Sequence, residues 1–364
     1  MLESFYSYQK LKNDLYNMKK EFPFLEMGSI GKSVLGKEIL YIKIGVGKKK
    51  IFYSGAYHAN EWITSPLLVK FAKEYALRYV KNIKMLNVNS RQLFENTCLY
   101  IVPMVNPDGV DLVNYGLEKF INNMEKNNDV ENNCNKEKNE ELFTVLEENM
   151  DNSSLKLGII EKLSRIENLS RIEIKRKIEI KRKIEEVKKI AKNYPDILFP
   201  KGWKANIDGI DLNLQYPAGW ENAKKIKFAQ GFDKPAPRDY VGKKPLEAKE
   251  AIAIYNFTKK HNFEMVIAYH TQGKEIYWKF GECTPKKSEK IGKKFSEFSG
   301  YKLADVPYNS SFAGYKDWFI QEFNKPGYTI EAGIGENPIQ MEQFEEIWKD
   351  NFEILGLGIE EIIN

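Results

Sequence analysis

Short, almost wholly apolar segments alternate with longer segments of helical periodicity along this chain. This alternation restricts the fold more than any other feature of the sequence. The pattern predicts strands over Glu38–Gly45, Lys50–Gly55, Cys98–Val105, Met265–Tyr269 and Gly327–Ala332. It predicts helices over residues 1–26, from Ser65 and Pro66 to about Asn82, over Lys286–Ser299 and over Gln343–Ile363. Strands that alternate with helices are typical of an α/β sheet protein, whose chemistry lies at the carboxyl ends of the strands.

The composition is that of a chain with a core of its own. Of the 364 residues, 42% are hydrophobic and 29% are charged, which excludes global disorder. No apolar run approaches the roughly 20 residues of a membrane span. The first residues also lack the apolar stretch of a secretory signal, so we expect a cytoplasmic protein with no membrane partner. Three isolated cysteines, Cys98, Cys134 and Cys283, form no CxxC pair and fit a reducing compartment.

The net charge of +5 is concentrated in one segment. Residues 162–192 hold twelve Lys and Arg against five Glu, which leaves a balance of −2 for the rest of the chain. A mildly acidic body of this kind argues against a nucleic-acid partner. Residues 122–153 are rich in Asn and Glu, with a balance of −6. We therefore predict one domain, built from residues 1–120 and 194–364, that is interrupted by a low-complexity and helical insertion over 121–193. The basic helix of the insertion is interpreted as a solvated arm or as a docking surface for an unknown acidic partner.

The chain has only three histidines, so any histidine-based site must draw on these. His58 is followed by Glu61 at the junction of a predicted strand and a helix, where an i, i+3 pair can direct two donors at one cation. Alone this HxxE pattern is weak, and a glutamate at a helix start also favours the positive end of the helix dipole. His270 ends another apolar strand, whereas His261 lies at a polar helix end and is expected to be exposed or to cap that helix. His58, Glu61 and His270 would hold one zinc ion and leave the fourth position open for water.

Glu331 is a lone carboxylate in the apolar strand that begins at Gly327. Burying its charge is costly unless something offsets it. A neighbouring metal and its water would do so, and the carboxylate would then act as a general base. A structural salt bridge is the alternative.

Taken in order, these segments resemble the zinc carboxypeptidase family, the peptidases of the carboxypeptidase A type. The matching segments are residues 55–61 around His58 and Glu61, Asn106–Gly109, Gly209–Asn213, the strand that ends in His270 and Thr271, and Thr329–Glu331. The resemblance implies a single α/β/α domain on a mixed, roughly eight-stranded sheet. It also implies zinc binding by His58, Glu61 and His270, with Glu331 as general base and then general acid. Tyr308 stands where the family has a mobile tyrosine that contacts the substrate.

The sequence departs from this family at two basic positions. Carboxypeptidases follow the asparagine at position 213 with an arginine that holds the terminal carboxylate of the substrate, but here Leu214 and Gln215 follow Asn213. Leucine cannot replace a bidentate, permanently charged clamp. Lys204 stands where the family has the arginine that stabilises the oxyanion. It would supply a positive charge without the planar fork, unless it is only a surface lysine.

The altered blocks 211–220 and 270–278 resemble one branch of the family, the bacterial γ-D-glutamyl-L-diamino-acid peptidases. These hydrolases cut the amide between the γ-carboxyl of D-glutamate and diaminopimelate in the stem peptide of peptidoglycan. The expected substrate is therefore a peptide or muropeptide, in a cleft lined by Asn213, Gln215 and Tyr308. Two alternatives stay open: a zinc carboxypeptidase or deglutamylase that acts on peptide C-termini, and a non-catalytic binding module.

Overall fold

The computed structural model of the chain describes residues 5–121, 123 and 178–363. The predicted acidic stretch and the first part of the predicted basic helix lie outside the described residues. The chain divides into two compact units, one formed by Met1–Asn114 with Ile190–Asn364, the other by Tyr115–Lys189.

Among the described residues, eight strands form one mixed sheet, which confirms the predicted fold class. They are β1 (Glu26–Lys32), β2 (Glu38–Ile44), β3 (Lys49–Ser54), β4 (Thr97–Val102), β5 (Met265–His270), β6 (Glu275–Tyr277), β7 (Lys302–Ala304) and β8 (Gly327–Glu331). Their order across the sheet is β1-β2-β4-β3-β5-β8-β6-β7. The central pairs β4·β3, β3·β5 and β5·β8 are parallel, so their carboxyl ends meet at one edge.

The helices of the described residues connect these strands. They are α1 (Tyr8–Glu21), α2 (Thr64–Lys81), α3 (Ser90–Asn96), α4 (107–121), α5 (178–193), α6 (Trp220–Ala229), α7 (Lys249–His261), α8 (Ser288–Ser299), α9 (Tyr315–Phe323) and α10 (Phe344–Glu361). None of them is both long and apolar enough to cross a membrane.

Alternate side chains of β3 pack against helices on opposite faces of the sheet. The ring of Phe52 lies 5.6 Å from that of Phe257 in α7. The next residue, Tyr53, faces the other way, 6.1 Å from the ring of Phe71 in α2, and donates a hydrogen bond to the carbonyl of Leu355 in α10. Successive side chains of a strand point to opposite faces, and the last four residues of β3 are buried, so the strand is covered on both faces. The result is an α/β/α sandwich.

The structure differs from the sequence prediction at the first two helices and at the first strand. Asn106 precedes α4 and caps it: its side chain accepts a hydrogen bond from Gly109 N at 3.1 Å, and Pro107 occupies the first helical position. Ser65 lies inside α2, where its hydroxyl donates to the carbonyl of Pro103. The helix predicted over residues 1–26 covers only Tyr8–Glu21. Strand β1 was not predicted because none of its side chains is fully buried, so it lacks an apolar pattern.

Helix α5 carries an apolar stripe as well as its charges. Ile180, Ile184 and Val187 are buried, at the spacing of one helix face. Arg182 and Glu185, between them, are exposed. The described part of this helix is therefore amphipathic, rather than solvated all round as an arm would be.

Candidate metal centre

The strand β3 leads directly into the first two metal-ligand candidates. His58 is the N-cap of a short 3₁₀ helix, Ala59–Glu61, so that Glu61 follows within one turn. The backbone therefore turns the Glu61 carboxylate back toward the ring, and His58 Nδ1 lies 2.8 Å from Glu61 Oε1. Both side chains are buried, although the chain has just left the sheet.

His270, the last residue of β5, brings a second imidazole to the same point. Its Nδ1 lies 2.9 Å from Glu61 Oε2 and 3.3 Å from His58 Nδ1. Since β3 and β5 are parallel neighbours, their carboxyl ends place the two rings together. The three candidate ligand atoms lie within 4.8 Å of one another.

The residues fit a zinc ion by donor type and by spacing. Two imidazoles and one carboxylate are a usual zinc donor set. Two nitrogen ligands at about 2.05 Å from a tetrahedral zinc lie about 3.3 Å apart, and the two Nδ1 atoms have this separation. Burial lowers the pKa of the His270 imidazole, which favours the neutral ring that a metal requires.

Asp211 orients the ring of His58, and sequence reasoning did not assign it this role. Its Oδ1 lies 3.1 Å from His58 Nε2, which leaves Nδ1 facing the centre. Burial opposes protonation of the ring, but the carboxylates of Glu61 and Asp211 outweigh it and raise the pKa of the His58 imidazole to about 9. A metal-ligating histidine usually donates its second N–H to a carboxylate. Asp211, the acid of the Gly209–Asn213 segment, could therefore have been predicted as the partner of a histidine ligand.

Lys204 lies in the centre, where the sequence predicted a positive charge. Its Nζ lies 2.9 Å from Glu61 Oε1, and this carboxylate raises the lysine pKa although burial opposes the shift. The loop of Lys204 is held through its main-chain carbonyls. The carbonyl of Lys204 accepts a hydrogen bond from Ala59 N, and the carbonyl of Ala205 accepts one from the Asn106 side chain. The ammonium is therefore fixed beside the metal ligands rather than free at the surface.

Glu331 ends β8, in direct register with His270 of β5. Burial raises the pKa of the Glu331 carboxyl to about 8, and the nearby carboxylate of Glu61 adds to the shift. This carboxyl is not one of the three clustered ligand residues, and it lines the same recess as they do.

Two recesses meet at this centre. The first has a volume of about 220 Å³, and its lining includes Asn213, Leu214, Val306, Pro307 and Lys316. The second has a volume of about 590 Å³, and its lining includes residues from the segments 196–202 and 335–337. Both are lined by a shared set: Lys204, Arg238, Thr271, Tyr277 and Glu331. A substrate bound at the centre therefore has room to extend into either recess.

The three predicted substrate residues lie in different environments. Asn213 lines the first recess, with its Oδ1 accepting from Tyr315 N. Tyr308 is 70% exposed, and its neighbour Pro307 lines the recess. Gln215 does not line the cleft. It is fully buried, and its amide bonds the backbone at Val241, Glu247 and Ala248, which is a structural role.

His261 is neither solvent-exposed nor a helix cap. Its ring packs 4.6 Å from that of Tyr100 and 4.4 Å from that of Phe257. Burial and the nearby charge of Lys50 lower the pKa of the His261 imidazole to about 4, so the ring is neutral and belongs to the aromatic packing.

Comparison with known proteins agrees with this arrangement. Residues 11–354 match the family described as zinc carboxypeptidase. The chain is 35% identical to γ-D-glutamyl-L-diamino acid endopeptidase 1 of Lysinibacillus sphaericus, over 97% of this chain and 72% of that protein. It is 32% identical to the uncharacterized protein YqgT of Bacillus subtilis (strain 168), over 97% of this chain and 77% of that protein. Among solved structures, carboxypeptidase A from Helicoverpa armigera superposes with a TM-score of 0.61 at 15% identity, over 98% of this chain and 73% of that one.

Proposed function

This chain belongs to the zinc carboxypeptidase family and is a zinc metallopeptidase, and we propose that it hydrolyses the amide between the γ-carboxyl of D-glutamate and an L-diamino acid, as in the stem peptides of peptidoglycan. One observation carries the proposal: the position after Asn213 holds Leu214, whose side chain is buried, instead of a cation that would clamp a C-terminal carboxylate. The name of the relative at 35% identity supports the same substrate.

The residues of the chain divide the work of amide hydrolysis between them. His58, Glu61 and His270 would hold a zinc ion, which would supply Lewis-acid polarisation and make water more acidic when bound. Glu331 accepts the proton of the attacking water and returns it to the leaving amine. The Lys204 ammonium, fixed beside the ligands, stabilises the negative charge that develops on the carbonyl oxygen.

The two recesses support cleavage within a chain as well as at its end. A strict C-terminal peptidase needs a cation on the leaving-group side that binds the terminal carboxylate. Lys316 of the first recess is 3% exposed, and its ammonium is already bound to Asp317 and to the carbonyl of Lys279. We infer that the leaving-group side accepts a longer or differently charged residue than a simple C-terminus.

A second candidate function is the removal of residues from ordinary peptide C-termini. It requires a cation in the cleft that takes the place of the missing carboxylate clamp. Arg238 lines both recesses and is such a cation. If Arg238 replaced the missing clamp, the enzyme would require a free C-terminal carboxylate on an α-linked substrate.

The test is digestion of a defined tripeptide, L-Ala-γ-D-Glu-diaminopimelate, beside the same tripeptide with an α-linked glutamate, each with and without a chelator. We expect release of diaminopimelate from the γ-linked substrate only, with loss of activity in chelator and recovery on adding zinc. Preferential cleavage of the α-linked peptide, abolished by amidation of its C-terminus, would instead establish the second candidate.

A further inference from the structure

Arg238 lines both recesses, and the backbone on each side of it is anchored. The carbonyl of Pro237 accepts hydrogen bonds from Lys204 N at 2.8 Å and from Ala205 N at 2.9 Å. On the other side, Asp239 N donates to Asp211 Oδ2 at 3.2 Å. The residues before and after Arg238 are thus bonded to the loop of Lys204 and to the acid that orients His58.

The backbone at Asp239 adopts a left-handed conformation. Its φ is 64°, a region that non-glycine residues seldom occupy, although aspartate does so more often than most. In this conformation its carboxylate accepts from Arg238 Nε at 2.6 Å and pairs with Lys227 at 2.6 Å. The Asp239 carboxylate therefore fixes one edge of the guanidinium and leaves the other edge directed away from it.

Among the described cations that line the first recess, Arg238 has N–H groups that are not already used in hydrogen bonds within the protein. Within the described part of the chain, its Nη1 and Nη2 atoms donate no hydrogen bond, and its side chain is 44% exposed. The other cations of the first recess are engaged: Lys204 by Glu61, Lys227 by Asp239 and Lys316 by Asp317. A planar fork with four spare N–H groups matches a carboxylate in bidentate fashion.

The proposed substrate carries a carboxylate at a suitable distance from the reacting bond. In a γ-linked glutamyl residue the α-carboxylate is free, and three carbon atoms separate it from the scissile carbonyl. Lys204 N bonds the carbonyl of Pro237, the residue before Arg238, and the side chains of Lys204 and Arg238 both line the second recess. With the scissile carbonyl beside Lys204 and the acyl group extending into this recess, its carboxylate lies in the space that the guanidinium lines. The amidated form of the same residue, D-isoglutamine, has the same shape without the charge.

We propose that Arg238 determines specificity by binding the free carboxylate of the acyl-side residue, which is the α-carboxylate of D-glutamate if the proposed function holds. The chemistry predicts selection against the carboxamide, because the fork then faces a donor, and a charge-assisted pair is lost.

The experiment compares kcat/KM for the γ-linked tripeptide with free α-carboxylate and for its α-carboxamide, in zinc-loaded wild type, Arg238→Met and Arg238→Lys. We expect wild type to prefer the carboxylate at least tenfold. Arg238→Met should lose about 30- to 100-fold on the carboxylate and less than about threefold on the carboxamide. Arg238→Lys should lie between, since it keeps the charge and loses the fork. Arg91→Met, which removes an exposed arginine elsewhere, is the matched control and should leave both values unchanged.

Equal losses on both substrates would overturn the proposal, because a merely structural role does not distinguish carboxylate from carboxamide. Zinc content and the melting temperature of each variant identify a misfolded protein. If Arg238→Met is misfolded, the carboxylate-to-carboxamide ratio of Arg238→Lys, whose ammonium can still pair with Asp239, decides the question. If wild type cleaves neither γ-linked substrate, the proposed function is refuted, and this result is distinct from a failure of the Arg238 proposal. The same comparison on α-linked peptides with Glu or Gln on the acyl side still tests Arg238.

Discussion

Replacing Glu331 by glutamine is expected to abolish turnover while zinc stays bound. The amide has nearly the size and shape of the carboxylate, but it cannot accept the proton of the attacking water. A positioned general base contributes about 10²- to 10⁴-fold to the rate, and at 1.36 kcal/mol for each factor of ten this is about 3–5 kcal/mol of the barrier. Zinc should stay because Glu331 is not one of the three clustered ligand residues, His58, Glu61 and His270.

The structure also predicts that this variant folds as well as wild type. Burial and the nearby Glu61 carboxylate raise the pKa of the Glu331 carboxyl to about 8. In the metal-free protein at pH 7, the group is therefore mostly neutral, and a neutral amide replaces a neutral acid. We expect the melting temperatures of the metal-free proteins to agree within about 2 °C at pH 7.

The assay combines zinc content per chain with single-turnover hydrolysis of the γ-linked tripeptide. Glu342→Gln, the same chemical change at an exposed glutamate, is the matched control and should keep full activity. Activity of Glu331→Gln within about tenfold of wild type would show that another group accepts the proton. Loss of zinc would show that Glu331 belongs to the ligand set, and either result would refute the reasoning.

Three further substitutions test the surroundings of the site and the fold. Asp211→Asn removes the charge that faces His58 Nε2, so zinc affinity should fall about tenfold or more, measured by competition with a chelator. Burial raises the pKa of the Glu250 carboxyl from 4.5 to about 7, so the folded state binds a proton that the unfolded state has lost between these values. The free energy of unfolding should therefore fall by about 3 kcal/mol as the pH rises through this window, and Glu250→Gln should flatten the slope in urea titrations. A Cβ on Gly47 would lie 1.9 Å from the carbonyl carbon of Asn96, so Gly47→Ala should destabilise the protein by about 3 kcal/mol or more in the same titrations.

Each of these expectations has a contrary result. Unchanged zinc affinity in Asp211→Asn would mean that the carboxylate does not tune the ligand. A stability that rises between pH 4.5 and 7 in wild type and not in Glu250→Gln would show that Glu250 is favoured as an anion in the fold. Wild-type stability of Gly47→Ala would show that the turn after β2 moves freely.

The sequence by itself determined the fold class and the three residues of the metal-ligand cluster. The apolar strands β3, β5 and β8 are recognisable because a strand buried on both faces has apolar side chains throughout. His58, His270 and Glu331 stand out because each is polar at or just beyond the end of such a strand, and parallel strands bring their carboxyl ends together. These inferences need only local pattern and one rule of sheet geometry.

The short edge strands β6 and β7 were not predicted from the sequence. Each has three residues, too few to show a periodic pattern; β6 pairs with the edge of β8, and β7 in turn pairs with β6. Strand β1 was not predicted either, for a different reason. It pairs with β2 in the antiparallel direction, and its side chains are half-exposed or exposed, so they show no apolar pattern.

Only the tertiary structure decided what surrounds the metal ligands. Asp211 lies against a ring 153 residues away, and Gln215 is engaged by the backbone of a distant loop, so neither role is written in local periodicity. Arg238 reaches the cleft because its neighbours bond the loop of Lys204, a contact that depends on how two irregular segments pack. Hydrogen bonds between irregular segments carry no repeat that a sequence could display, so their partners become visible only when the chain is folded.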